Sequence, residues 1–313
     1  VLRHSVYAAL DHDVLTLAQA TAYAAMVALF PALIVAAAAV ALLPASQPLR
    51  AQMSMFFDRI LPSTVSPLLE AYFVTTNKSP QTARALLGSA LVSISGAAGV
   101  MATMMEGFRR AHNLPVDATS FWHRRGRALA LVPLSLLPMS VASALVVFGH
   151  FVSEWLASHA APGLHTTVLV LSVTLRWLIA LSGSVGILAV IYHLGTDVTK
   201  HMRAHMDPFL HFRMDWSWRS SLPGAAVATA MWFVATVLFG FYVTRFANYS
   251  QVYGSLGAAI ALLLWLYIIA LCVLFGAEFN AQWTAERKAP AAAVENVRPS
   301  ARPKAARAAR QVE

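Results

Sequence analysis

The sequence predicts an all-α polytopic membrane protein, built as a bundle of six transmembrane helices. Three observations carry that prediction. Apolar residues make up 58% of the 313-residue chain and charged residues 12%, about half the ~25% of soluble domains. The charges lie between long apolar runs rather than within them. The last run, Gly254 to Ala277, holds 24 residues without a charge. A helix of that length covers roughly 36 Å, more than the ~30 Å hydrocarbon core of a bilayer.

Each element follows from the same reasoning, in chain order. In residues 1–20, Val6, Leu10, Val14 and Leu17 recur at helical spacing, with Asp11, His12 and Asp13 elsewhere around the turn. This predicts a short amphipathic helix lying on the cytoplasmic surface before the first span. It does not read as a signal peptide, because the apolar run that follows starts too late and is too long. The spans are expected at Thr21–Leu43, Ala85–Met105, Ala128–Phe148, about His165–Leu194, Leu222–Tyr242 and Gly254–Ala277, so the transmembrane domain covers 21–282. Between spans one and two, apolar clusters at Met53–Leu61 and Leu68–Phe73 are separated by Pro62 and Pro67. They predict two short amphipathic helices folded onto the bundle's outer face. Residues 283–313 are Ala-, Pro- and Arg-rich without apolar periodicity, and read as a disordered basic tail.

Orientation follows from Lys and Arg. Six spans place both termini on one side. That side then carries seventeen of these residues, the other carries five, and Arg176 is set aside. Positive residues stay inside, so both termini are expected in the cytoplasm. The net charge of +9 is then explained by contact with anionic lipid headgroups. Nucleic acid is not an expected partner, because no folded module interleaves basic and aromatic residues. Cys272 is the chain's one cysteine, which excludes a disulfide framework and a Cys-based metal site.

Ionisable and helix-breaking residues at depth mark pathways in membrane proteins. Arg176 lies eighteen residues before Leu194, about 27 Å along a helix. That depth favours an interfacial anchor beside Trp177, while a strongly tilted helix would make Arg176 a pathway residue. Pro31, Pro133, Pro138, Gly183 and Gly186 are candidate breakers whose freed carbonyls could line a cavity or serve close packing. Gly88, Ser89, Ser95, Gly96 and Gly99 read as a helix-packing face. Tyr23, Tyr253 and Asn280 complete the candidate polar residues, Asn280 as a partner for a nearby backbone carbonyl.

The motifs "AYAAMVALFP" (22–31), "EGFRRAHNLP" (106–115), "IYHLG" (191–195), "LPGA" (222–225) and "YGSLG…GAEFNA" around the last span occur in an order that resembles the YihY/BrkB family. The resemblance covers nearly the whole chain apart from the tail. It implies a six-helix protein of the bacterial inner membrane whose activity is not settled. Some members carry a virulence or serum-resistance label, and an older ribonuclease label circulates. Where the family commonly shows a second Tyr and a Ser in the first motif, this chain has Ala24 and Ala28.

A nuclease needs carboxylates or histidines converging on metal ions. The fourteen acidic residues are scattered, and no span carries an acidic pair. Asp197, His201 and His205 share one helical face, but Met202 stands where the glutamate of a zinc-binding His motif belongs. A solvated helix is the better reading, so no enzyme activity, metal or cofactor is expected. There is also no nucleotide-binding loop. The sequence leaves a transporter or lipid-handling protein with a cavity between its helices, and alternatively a membrane scaffold or envelope-integrity factor acting through loops and tail. It names no substrate and no oligomeric state.

Glu278 is the first charge after the last apolar run, at a helix end whose dipole disfavours an anion. It therefore calls for a cationic partner. Arg109 and Arg110, which follow span two on the same side, are the expected pair.

Overall fold

The computed structural model describes residues 1–41, 80–114, 121–135, 165–196, 218–245 and 255–297, with Trp155 and Ser158. Among these residues every regular element is helical. Helix α1 is Leu2–Asp11 and α2 is Val14–Ala41. Asp13 separates them in the left-handed region at φ 56°, a conformation that Asp tolerates better than most side chains. Its N–H reaches back to the Leu10 carbonyl at 3.2 Å, and its own carbonyl accepts from Leu17 N–H at 3.1 Å. One residue thus closes α1 and opens α2.

The first spanning helix begins seven residues earlier than the sequence predicts. Val14, Leu17, Ala18 and Thr21 all lie buried, and their spacing continues the core-facing stripe of α2 through the segment assigned to the surface. Helix α3 is Pro80–Ala111, a helical segment follows at 121–135, and α4 is His165–Gly195. A 3-10 turn at Trp218–Ser221 leads into α5, Leu222–Arg245, and α6 is Ser255–Val297.

Five segments among the described residues are long and apolar enough to cross a membrane, and they lie on α2, α3, α4, the turn with α5, and α6. The third predicted span, 128–148, falls largely outside the described residues. So do the first outer loop, Pro138, Asp197, His201, His205 and Tyr253.

The candidate breakers do not break the described helices. Pro31 sits inside a continuous α2, Pro133 inside the helical segment 121–135, and α4 runs unbroken through Gly183 and Gly186. A Cβ added to either glycine would meet nothing within 4 Å. Of the predicted tail, residues 283–297 lie among the described ones. α6 passes the expected boundary at 282 and continues to Val297. Its 43 residues measure about 65 Å, twice a bilayer core, so the helix projects beyond the apolar layer. Ala285, Glu286 and Arg287 are good helix formers in the stretch that follows.

The core gathers at the end of the bundle where α1 docks. It joins α1 and α2 to the last turns of α3 and α4, the first turns of α5 and the second half of α6. Two close helix approaches bring the helices together, one beyond this core and one within it. Gly96 of α3 lies against Ala28 of α2, where an added Cβ would come within 2.6 Å of the alanine Cβ. Gly276 of α6 faces Gly224 of α5 so closely that a Cβ on Gly276 would meet the Gly224 carbonyl at 2.7 Å. These are small-residue contacts of the kind that let membrane helices approach. Buried Tyr192 of α4 closes the core by donating to the Val273 carbonyl at 2.6 Å, with Phe108 edge-on to its ring.

Candidate functional site

Two polar groupings occupy this end. The first is buried. Glu278, within α6, is wholly shielded from solvent. Its Oε1 lies 2.8 Å from Nδ1 of His12, in the turn between α1 and α2. Nε2 of His12 lies 3.3 Å from Oδ1 of Asn113. Asn113 holds the left-handed position, φ 53°, that ends α3. Two residues further along α6, Asn280 accepts from Gly224 N–H at 2.6 Å and donates Nδ2–H to the Ser221 carbonyl at 3.0 Å. It thereby ties α6 to the start of α5, satisfying one of the helix's first N–H groups and a carbonyl of the 3-10 turn.

Glu278 does not pair with Arg109 or Arg110. Both arginines hold Glu106 instead. Arg109 donates Nε–H to Oε2 at 2.9 Å and Nη2–H to Oε1, and Arg110 donates Nε–H to Oε1 at 3.0 Å. The reason is local. Residues three and four apart on α3 reach a common carboxylate without any tertiary constraint, and bidentate arginine contacts are strong. That spacing is visible in the sequence. His12 gives no such signal, since it meets Glu278 across 266 residues.

The second grouping is an open cavity of about 540 Å³. α3 contributes Thr103, Glu106, Arg109 and Arg110, the segment 121–135 contributes Phe121, Arg124, Arg125 and Arg127, and α4 ends there at Gly195. Five arginines thus surround one carboxylate. Several are already held in place: Arg109 also donates to the Leu114 carbonyl at 2.6 Å, and Arg125 donates to Ser95 Oγ at 2.9 Å. Ala102, Met105, Leu114 and Phe121 give the same cavity apolar wall. Fixed guanidinium groups beside apolar surface suit an anion carried on an apolar body.

The remaining candidates lie apart from these groupings. Tyr23 is 69% exposed on α2. Arg176 of α4 is half-buried, and its Nε and Nη1 are shielded without a hydrogen-bond partner among the described residues. Trp177 beside it packs edge-on against Phe233 of α5. Among the described residues no cluster of His, Cys, Asp and Glu is arranged to hold a metal.

Comparison with known proteins decides the family. The sequence profile described as virulence factor BrkB matches residues 5–207 and 209–300. The chain belongs to the BrkB family. It is 27% identical over 293 residues to a UPF0761 membrane protein of Rhodospirillum centenum, covering 91% of this chain and 58% of that protein. A UPF0761 membrane protein of Alteromonas mediterranea is 27% identical over 268 residues, covering 83% and 79%. A Bacillus subtilis protein named as ribonuclease-like, YfkH, is 43% identical over only 74 residues, 24% of this chain and 27% of that one. This BrkB chain therefore spans little more than half of the Rhodospirillum relative and about a quarter of YfkH. No solved structure matches it.

Proposed function

We propose that this BrkB-family protein is a transporter or lipid-handling protein of the bacterial inner membrane, with both termini cytoplasmic, that binds the anionic headgroup of an amphiphile at its arginine-rich end. The observation that carries the reading is the 540 Å³ cavity with Arg109, Arg110, Arg124, Arg125 and Arg127 around it and Phe121 and Met105 in its wall. Phosphate oxygens are the matching chemistry, because the planar guanidinium fork binds them bidentately. The excess of Lys and Arg on the same side supports the orientation, since that face then meets anionic leaflet lipid. The YfkH name does not favour a nuclease here, because the match covers a quarter of each chain.

The test is binding by the purified protein in nanodiscs. Phosphatidylglycerol, phosphatidylcholine and inorganic phosphate are offered separately to the wild type and to the double variant Arg124→Gln/Arg125→Gln. The expected result is saturable binding of the anionic lipid, weakened roughly tenfold or more in the double variant as charge-assisted contacts are lost. Equal binding of the neutral lipid, or an unchanged double variant, overturns the reading. Binding of inorganic phosphate alone would move the site from lipid to free anion.

A further inference from the structure

We propose that Glu278 is a proton-binding site and that His12 is the side chain through which its proton enters and leaves. The geometry requires a proton between them. A bare carboxylate oxygen and an imidazole lone pair are both acceptors, and they do not sit 2.8 Å apart without a hydrogen to share. With Nε2–H donating to Asn113 Oδ1, two states satisfy the same heavy-atom positions. Either His12 is an imidazolium donating to a carboxylate, or Glu278 is a carboxylic acid donating to neutral Nδ1. The two states have the same net charge, and moving the shared proton between Nδ1 and Oε1 needs no rearrangement of heavy atoms.

The surroundings give the proton a path and few competitors. Glu278 is fully shielded, and its Oε2 has no hydrogen-bond partner among the described residues. The His12 side chain is 19% exposed, and its Asn113 partner is itself exposed. A proton from solvent therefore reaches Nε2 first. In the state one proton poorer, neutral His12 keeps Nδ1–H on the Glu278 carboxylate and faces Asn113 with a bare Nε2, to which the Asn113 amide turns its N–H. Imidazole accepts the incoming proton at Nε2 and releases the Nδ1 proton to Oε1, leaving neutral His12 protonated on Nε2. The pair takes up one proton and passes from net charge −1 to 0.

The other ionisable groups on the packed elements are engaged elsewhere or lie exposed. On α1, His4 meets Glu286 at 2.9 Å, and Asp11 is exposed. Asp13, in the turn, approaches Arg110 at 3.8 Å. On α3, Arg109 and Arg110 hold Glu106, and just past its end His112 Nδ1 contacts the Phe108 carbonyl at 2.9 Å. Tyr192 of α4 donates to Val273. Helix α2 contains no Asp, Glu, His, Lys or Arg. α5 has Arg245 at its far end, and Arg219 lies in the turn before it.

Infrared difference spectroscopy on the full chain in nanodiscs tests this, using steps between about pH 8 and pH 5, the range in which histidine exchanges protons. The wild type should gain the C=O stretch of a protonated, buried carboxyl on the acid step. The band should be lost in Glu278→Gln and shifted in Glu278→Asp, which keeps the proposal testable if the glutamine variant fails to fold. In His12→Gln the band's rise and its exchange in heavy water should slow, and free imidazole should restore both. A band that persists in Glu278→Gln overturns the site. A His12→Gln response as fast as wild type, or one that imidazole leaves slow, overturns the relay. Neither readout depends on what the arginine cavity binds.

Discussion

A side chain buried at a helix crossing has to be judged by what it would leave behind. Asn280 accepts from Gly224 N–H and donates to the Ser221 carbonyl, and all three residues are shielded. Asn280→Ala strands both backbone groups. Each unsatisfied buried group costs about 1–3 kcal/mol. The melting temperature in detergent should therefore fall clearly, while Gln282→Ala, two positions on and only half-buried, should change it little. A fluorescence melt of the two variants side by side checks this, and equal melting would remove Asn280 as the tie between α5 and α6. The same scale shows what sequence can and cannot resolve. That Glu278 needs a partner is legible from its place after 24 uncharged residues. The identity of the partner is not, because Arg109 and Arg110 are satisfied locally by Glu106, a pairing that spacing on α3 would have revealed. His12 becomes Glu278's neighbour only through the docking of α1.

Elements were more readable than their boundaries. Apolar runs of bilayer length locate α2, α3, α4, α5 and α6, since in lipid a helix must satisfy its own backbone. Their ends drift because burial, which decides them, depends on neighbours. Val14–Thr21 joins α2 because it packs into the core, whereas α6 runs on past 282 although no apolar period marks that stretch. The small-residue face expected on α3 is real at one position and idle at another: Gly96 presses on Ala28, whereas Gly88 has nothing within 4 Å. The contrast makes a prediction at the level of the α2–α3 pair. Gly96→Leu forces two backbones apart and should destabilise by about 1–3 kcal/mol, the usual cost of overpacking. Gly88→Leu should be close to neutral. Thermal melting of both variants decides between them, and a neutral Gly96→Leu would mean that α2 and α3 do not cross there. Ala28 also fits this contact, since a larger side chain would meet Gly96.

At the scale of the whole molecule, one arrangement ties the parts together. The ends of α3, α4 and α6's apolar run, the starts of α2 and α5, and the docked α1 all lie at one end, with the arginine cavity and the Glu278–His12 pair. Alternating passage through a membrane produces that gathering if the segment between 121 and 165 crosses once more. Seventeen Lys and Arg then share the cytoplasmic face with both termini. Single cysteines test this directly, against a background in which Cys272 is buried. In intact cells, His4→Cys, Pro115→Cys and Ser300→Cys should resist a membrane-impermeant thiol reagent until the membrane is opened. Val65→Cys and Ala160→Cys should react at once. Labelling at 115 from outside would place Arg109, Arg110, Arg124, Arg125 and Arg127 on the external face, against the strongest regularity governing membrane orientation, and would end the six-span reading. Protection at 160 together with protection at 115 would end it differently, by showing that the chain between α3 and α4 stays on one side and that five spans, not six, cross the bilayer.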